Sequence, residues 1–286
     1  MGSDTQGLQK VEPLEAIADA DAKRAPERGS SSGTEEESEE PPVREHVALM
    51  AVGAGVAGAI YGTLRTVLSR DSAEDIVDFL HALSTTSISG YGLLCMEPHP
   101  TFGRALPSKL ASSRGPVVKM YAASLGYFMG DMCKILIDVT VRRSFPNLWL
   151  GRLAHHSIQL GASLPGIFGA GASEEITLVW RSILCMAYVA EFSSIFLRLS
   201  NLFRRAGAPS ALRRTCSWSV LASFFASRIV NFALAIRLYV AARPVFPDAL
   251  FRLGAVVQVG GYTLSLGWFL KLLRIAVRTN GFAKLK

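Results

Sequence analysis

Residues 47–68 read VALMAVGAGVAGAIYGTLRTVL, and the fold turns on what this stretch is. It is uncharged until Arg65, and its length meets the roughly 20 apolar residues that a helix needs to cross the hydrocarbon core of a bilayer. It also contains Gly53-Ala54-Gly55-Val56-Ala57-Gly58, a literal G-x-G-x-x-G, preceded by a segment compatible with a strand. A dinucleotide-binding turn needs a βαβ unit around it, with a second buried strand and an acidic residue beyond. The chain continues LRTVLSRDSAEDIVDFLHAL, which supplies acids but no clean second strand. The helix reading is therefore preferred. Gly58 and Gly62 form a G-x-x-x-G, extended back by Ala54, and small residues at that spacing let transmembrane helices approach closely.

Six more apolar stretches follow, at 76–96, 117–141, 147–170, 176–200, 216–242 and 250–277. The second span carries Asp78 and His81, the third Asp131, Lys134 and Asp138, and the fourth is rich in glycine and broken at Pro165. Lipid offers the backbone no hydrogen-bond partners, so spanning segments of this kind are helices. The expected fold class is all-α, a polytopic transmembrane bundle of about seven spans. Half of the 286 residues are hydrophobic and 19% are charged, against roughly 25% charged in average soluble domains.

Charge is unevenly placed. Residues 1–44 hold 11 Asp/Glu and 5 Lys/Arg, about −6, whereas the rest of the chain carries about +13. The tail, with Ser30-Ser31-Ser32-Gly33 and Glu35-Glu36-Glu37-Ser38-Glu39-Glu40, buries too little apolar surface to offset its ordering entropy and reads as disordered. It has no apolar core before a cleavage site and is not a signal peptide. The positive charge lies in short loops between apolar runs. This is how membrane proteins set orientation, so nucleic acid is not the expected partner. With seven spans, one side collects about thirteen cations and the other about seven, which places the C-terminus in the cytosol. Cys95, Cys133, Cys185 and Cys216 form no C-x-x-C pair and read as free, buried thiols, without a disulfide framework or zinc site. No N-x-S/T sequon marks a lumenal loop.

Ionisable residues inside spans are costly and point to function. Counting about 1.5 Å per residue from the cytosolic ends puts His155 and His156 roughly 10 Å deep, Asp131 about 15 Å, Glu191 about 18 Å and Arg228 about 20 Å. Four helices thus offer polar groups at similar depth, as one shared cavity requires. Structural alternatives stand beside this. Lys134 and Asp138 can neutralise each other on one face; Arg181, Arg198 and Arg237, nearer span ends, can snorkel; and Glu191 with Arg228 can be a buried pair that fixes packing. Adjacent histidines point about 100° apart and do not make one simple metal site.

At these same residues the chain resembles the TLC domain family, which includes the ceramide synthases and smaller membrane proteins. The motifs, in order, are Phe79-Leu80-His81-Ala82, Gly126-Tyr127-Phe128-Met129-Gly130-Asp131, Ala154-His155-His156-Ser157, Ala190-Glu191-Phe192-Ser193-Ser194 and Phe224-Phe225-Ala226-Ser227-Arg228. The resemblance implies six helices around a central cavity, an endoplasmic-reticulum or related membrane (plasma membrane or Golgi as alternatives) and a role in lipid handling. The implied organisation is an acidic tail at 1–44, an extra helix at 45–70, a TLC domain at 71–280 and a short tail at 281–286. His155, His156, Asp131, Glu191 and Arg228 are the catalytic or lipid-cavity residues it implies, with His81, Tyr127 and Asn231 secondary. Membrane lipids and the bilayer are the expected partners, and no bound cofactor or metal is expected. In a ceramide-synthase-like N-acyltransferase, acyl-CoA would be co-substrate and a histidine the base or acyl carrier. The sequence departs from the synthases, which follow the histidines with a His-Asp and then an Asp: Ala190 stands where that histidine would be, and Glu191 and Ser194 stand where the aspartates would be. That favours a lipid-binding or sensing protein, with the acyltransferase and a trafficking or cargo receptor as alternatives.

Overall fold

The computed structural model describes residues 43–95, 98–99, 103–107, 115–143, 149–168 and 173–279. Most of the acidic tail and the residues beyond Thr279 lie outside the described residues, as does the side chain of Cys95. The fold is all-α, built from seven helical rods among the described residues. The rods are α1 (Val43–Arg65), α2 (Arg70–Cys95), α3 (Pro116–Thr140), α4 (Trp149–Phe168), the pair α5 (Glu174–Val189) and α6 (Phe192–Arg205), the pair α7 (Ser210–Phe224) and α8 (Asn231–Ala241), and α9 (Asp248–Arg278). A small antiparallel ribbon, β1 (Pro98–His99) with β2 (Gly103–Pro107), follows α2.

Helix boundaries follow local chemistry. Pro116 opens α3, where its missing N–H costs nothing. Ser173 caps α5 by accepting from the Ile176 N–H. Arg204 and Arg205 occupy the last turn of α6, matching the helix dipole. Gly207 then takes φ +66, the left-handed position that lets the chain reverse into α7. Pro165 does not break α4, which continues to Phe168; neighbouring helices stabilise a proline-bearing helix that would kink in isolation.

Polarity is inverted relative to a water-soluble domain. Arg181 is 0% exposed, and Asp75, Asp138, Glu191 and Arg228 are all buried, whereas Leu94 is 85% and Val256 71% exposed. A bilayer accepts such a surface and water does not favour it. Four rods are long and apolar enough to cross a membrane: Val43–Arg65, Glu175–Arg205, Ser210–Ala241 and Asp248–Arg278. The chain is therefore an integral membrane protein. The rods α2, α3 and α4 match three further expected spans in position. Two irregularities were not expected. The fifth stretch bends at Ala190–Glu191, between α5 and α6. The sixth contains a π-helical turn, Phe225–Val230, between α7 and α8.

Close packing of α1 involves glycine, but not the expected pair. A Cβ at Gly53 would lie 2.1 Å from the Ala123 carbonyl oxygen, and one at Gly126 would lie 1.9 Å from that of Met50. The α1 and α3 backbones thus touch at these two points. Gly58 and Gly62 meet nothing within 4 Å. The small-residue spacing does not itself say which face finds a partner. Behind this contact, Tyr121, Leu125, Phe128, Leu184 and Tyr188 belong to one buried apolar cluster. Cys185 and Cys216 are buried free thiols, and Cys133 is exposed.

Candidate functional site

A cavity of about 760 Å³ opens among these rods, lined from α2, α3, α4, α6, the α7–α8 rod and α9. Its histidines are paired separately. His156 Nε2 lies 2.8 Å from Asp131 Oδ2, and Arg152 Nη2 donates to both oxygens of that carboxylate at 2.9 and 2.8 Å. His155 Nε2 lies 3.4 Å from Glu191 Oε1. The Arg228 guanidinium reaches the same oxygen at 3.0 Å. Its Nε donates to Ser193 Oγ at 2.9 Å, and Ser194 Oγ donates to Glu191 Oε2 at 2.7 Å.

The two helix irregularities carry this pair. Glu191 sits at the bend between α5 and α6, and Arg228 within the π turn. A π turn inserts an extra residue and re-aims the side chains around it. The Phe224 and Trp268 rings lie 5.2 and 5.8 Å from the guanidinium carbon, adding cation–π attraction in a desolvated setting. Phe128 packs against His156 at 4.9 Å between ring centroids.

The secondary residues divide. His81 shares a 2.7 Å hydrogen bond with Ser124 and stacks on Tyr127 at 3.9 Å. Tyr127 donates its hydroxyl proton to Asp78. Both line the cavity. Asn231 does not: its amide donates to the backbone carbonyls of Met186, at 2.7 Å, and Ser227, at 3.1 Å. It satisfies main-chain groups near the π turn, so its part is structural. Asp131 also lies off the lining, behind His156.

Three expectations about charge need correction. Lys134 and Asp138 do not pair with each other. Lys134 reaches Glu74 at 2.5 Å, and Asp138 binds Arg70 at 2.5 Å and Arg142 at 2.8 Å. Arg181 is buried, donating its Nε proton to the Gly166 carbonyl at 2.8 Å. Arg198 turns inward to Asp75 at 2.9 Å and Asp78 at 2.6 Å. Only Arg237 of that trio is exposed. In each inward case a buried partner outweighs the gain from reaching the interface.

The largest feature missed in the sequence is the acidic face of α2. Asp71, Glu74, Asp75 and Asp78 fall at i, i+3, i+4 and i+7, one helix face. All four line the cavity and pair with cations from α2, α3, α4 and α6, including Arg205 on Asp75. The i, i+3, i+4, i+7 spacing was a readable signal. Among the described residues, no cluster of three or more His, Cys, Asp or Glu side chains is placed to hold a metal ion.

Fold and site together define an integral membrane protein whose helices enclose a charged, aromatic-lined cavity. The chain belongs to the TLC domain family, the TRAM, LAG1 and CLN8 group, whose model matches residues 71–274. No curated protein and no solved structure matches the chain.

Proposed function

We propose that this TLC-domain protein binds or senses a membrane lipid in its helical cavity, as part of lipid homeostasis in the endoplasmic reticulum. The carrying observation is the wall itself. Polar groups from several helices converge on a space also lined by Phe128, Phe224, Trp268, Leu197, Leu272 and Ile275. An amphiphile suits such a wall, with its head on the charges and its chain on the rings and aliphatic side chains. In this reading the six rods from 71 to 280 form a barrel around the lipid. The helix at 45–70 is an addition packed outside it, and the C-terminus faces the cytosol.

A second reading is favoured by the two carboxylate–histidine pairs. In N-acyl transfer, a sphingoid amine would attack the acyl-CoA thioester. The C–N bond forms, the C–S bond breaks, and a histidine passes the amine proton to the departing thiolate. A carboxylate fixes the orientation of such an imidazole and steadies its charged form. His155, with Glu191 behind it, is the more exposed of the two rings, at 18% against 7%.

Lipid analysis of the purified protein, native against His155→Ala plus His156→Ala, followed by an acyl-CoA turnover assay, separates these. A lipid that co-purifies without turnover supports binding or sensing. Turnover that the double variant loses supports acyl transfer. If neither a lipid nor turnover is found, weight shifts to a trafficking or cargo receptor.

A further inference from the structure

The charges lining the cavity do not balance. Its lining holds two more Lys/Arg side chains than carboxylates. Most cations are accounted for by named partners: Arg70 by Glu74 and Asp138, Arg152 by Asp131, Arg198 by Asp75 and Asp78, Arg205 by Asp75, and Arg228 by Glu191. Two have no carboxylate partner among the described residues. Among the described residues, Arg204 donates to the side-chain oxygen of Asn201, at 3.2 Å, and to no carboxylate. Lys271 lines the cavity from α9, is exposed, and makes no ion pair among the described residues. Arg204 stands in the last turn of α6, and Lys271 stands on α9 between Trp268 and Leu272; all three line the same cavity as Arg204.

We propose that Arg204 and Lys271 form a headgroup site for a phosphomonoester-bearing lipid, such as a diacylglycerol phosphate. This rests on the lipid-cavity reading above and narrows it. A phosphomonoester carries close to two negative charges near neutral pH, which matches the two unpaired cations. Arginine meets phosphate oxygens with a planar fork, and lysine adds a mobile point charge. A phosphodiester such as phosphatidylcholine, whose choline cancels its phosphate, leaves the excess uncompensated. The apolar wall formed by Leu272, Ile275 and Trp268 continues along α9 beside Lys271 and gives the acyl chains a place that a free anion would not need.

The test uses the full chain in mixed micelles. Binding is measured separately for phosphatidic acid, phosphatidylcholine, diacylglycerol and inorganic phosphate. The expected result is a preference for phosphatidic acid over phosphatidylcholine on the order of tenfold or more, as two cation–phosphate contacts would give. Arg204→Gln plus Lys271→Gln should abolish that preference with unchanged Tm, because both side chains are exposed. Arg214→Gln plus Arg278→Gln, two exposed residues outside the cavity lining, should keep it. That outcome separates a headgroup site from general surface attraction. Equal binding of phosphatidic acid and phosphatidylcholine would overturn the headgroup assignment and leave the lipid cavity standing. Binding of none of the three lipids would sink the cavity reading as well. Inorganic phosphate competing as well as phosphatidic acid would make the ligand a free anion and overturn the lipid assignment. So would a preference that survives in the Arg204/Lys271 variant.

Discussion

His155 and His156 are neighbours on α4 with ring centroids 5.5 Å apart, and each turns to a different carboxylate, Glu191 and Asp131. The roughly 100° step of the helix makes this possible, and it gives the cavity two independently oriented imidazoles. Asp131→Asn should therefore reproduce the lipid-binding or turnover defect of His156→Ala while His155 keeps its partner. Measuring lipid retention across Asp131→Asn, His156→Ala and their double variant checks this. Additive losses in the double would show that the two residues do not act as one unit.

Removing Arg228 leaves Glu191 charged and buried. Arg228→Met should cost about 3–5 kcal/mol of stability, and Glu191→Met added to it should restore most of that loss. Thermal unfolding in detergent reads both. A single variant as stable as the native protein would mean that water reaches Glu191.

The α1–α3 contact predicts an asymmetry among glycines. Gly126→Val forces backbone apart where even a Cβ would meet a carbonyl oxygen at 1.9 Å, and should cost about 1–3 kcal/mol or more. Gly58→Val and Gly62→Val face open space and should melt with the native protein. Loss of stability in these last two would reveal a partner helix on that face.

Asp75 holds Arg198 and Arg205 of α6 against α2. Its carboxylate is buried while the arginines are partly exposed, so Asp75→Asn should destabilise by about 1–3 kcal/mol, less than a fully buried pair. Spin labels on α2 and α6 should show a longer and broader separation in that variant. An unchanged distance would mean that apolar packing alone joins the two helices.

The helices were legible because runs of apolar residues mark them, and the rods fall within a few residues of those runs except where α2 begins at Arg70, α6 extends to Arg205 and α7 begins at Ser210. His155, His156, Asp131, Glu191 and Arg228 were legible because charge is rare within such runs, and these five do come together. Direction was not legible. Nothing in the spacing of Lys134 and Asp138 says that each prefers a partner on α2. Arg198 looks the same in sequence whether it snorkels or turns inward. Pro165 reads as a break because the neighbours that support α4 are distant in the chain. The bend at Glu191 and the π turn at Arg228 depend on tertiary contacts that no local propensity encodes.

The acidic face of α2 has a consequence for how the protein is made. A carboxylate costs roughly 2.5–3.5 kcal/mol to insert at the centre of a lone helix and less toward its end, and the four of α2 lie within its first two and a half turns. The arginines that neutralise Asp75 lie 123 and 130 residues further along the chain, so they have not been synthesised when α2 leaves the ribosome. Asp75 gains its arginines only once α6 has been made, so the late half of the chain completes the charge pairing of the early half.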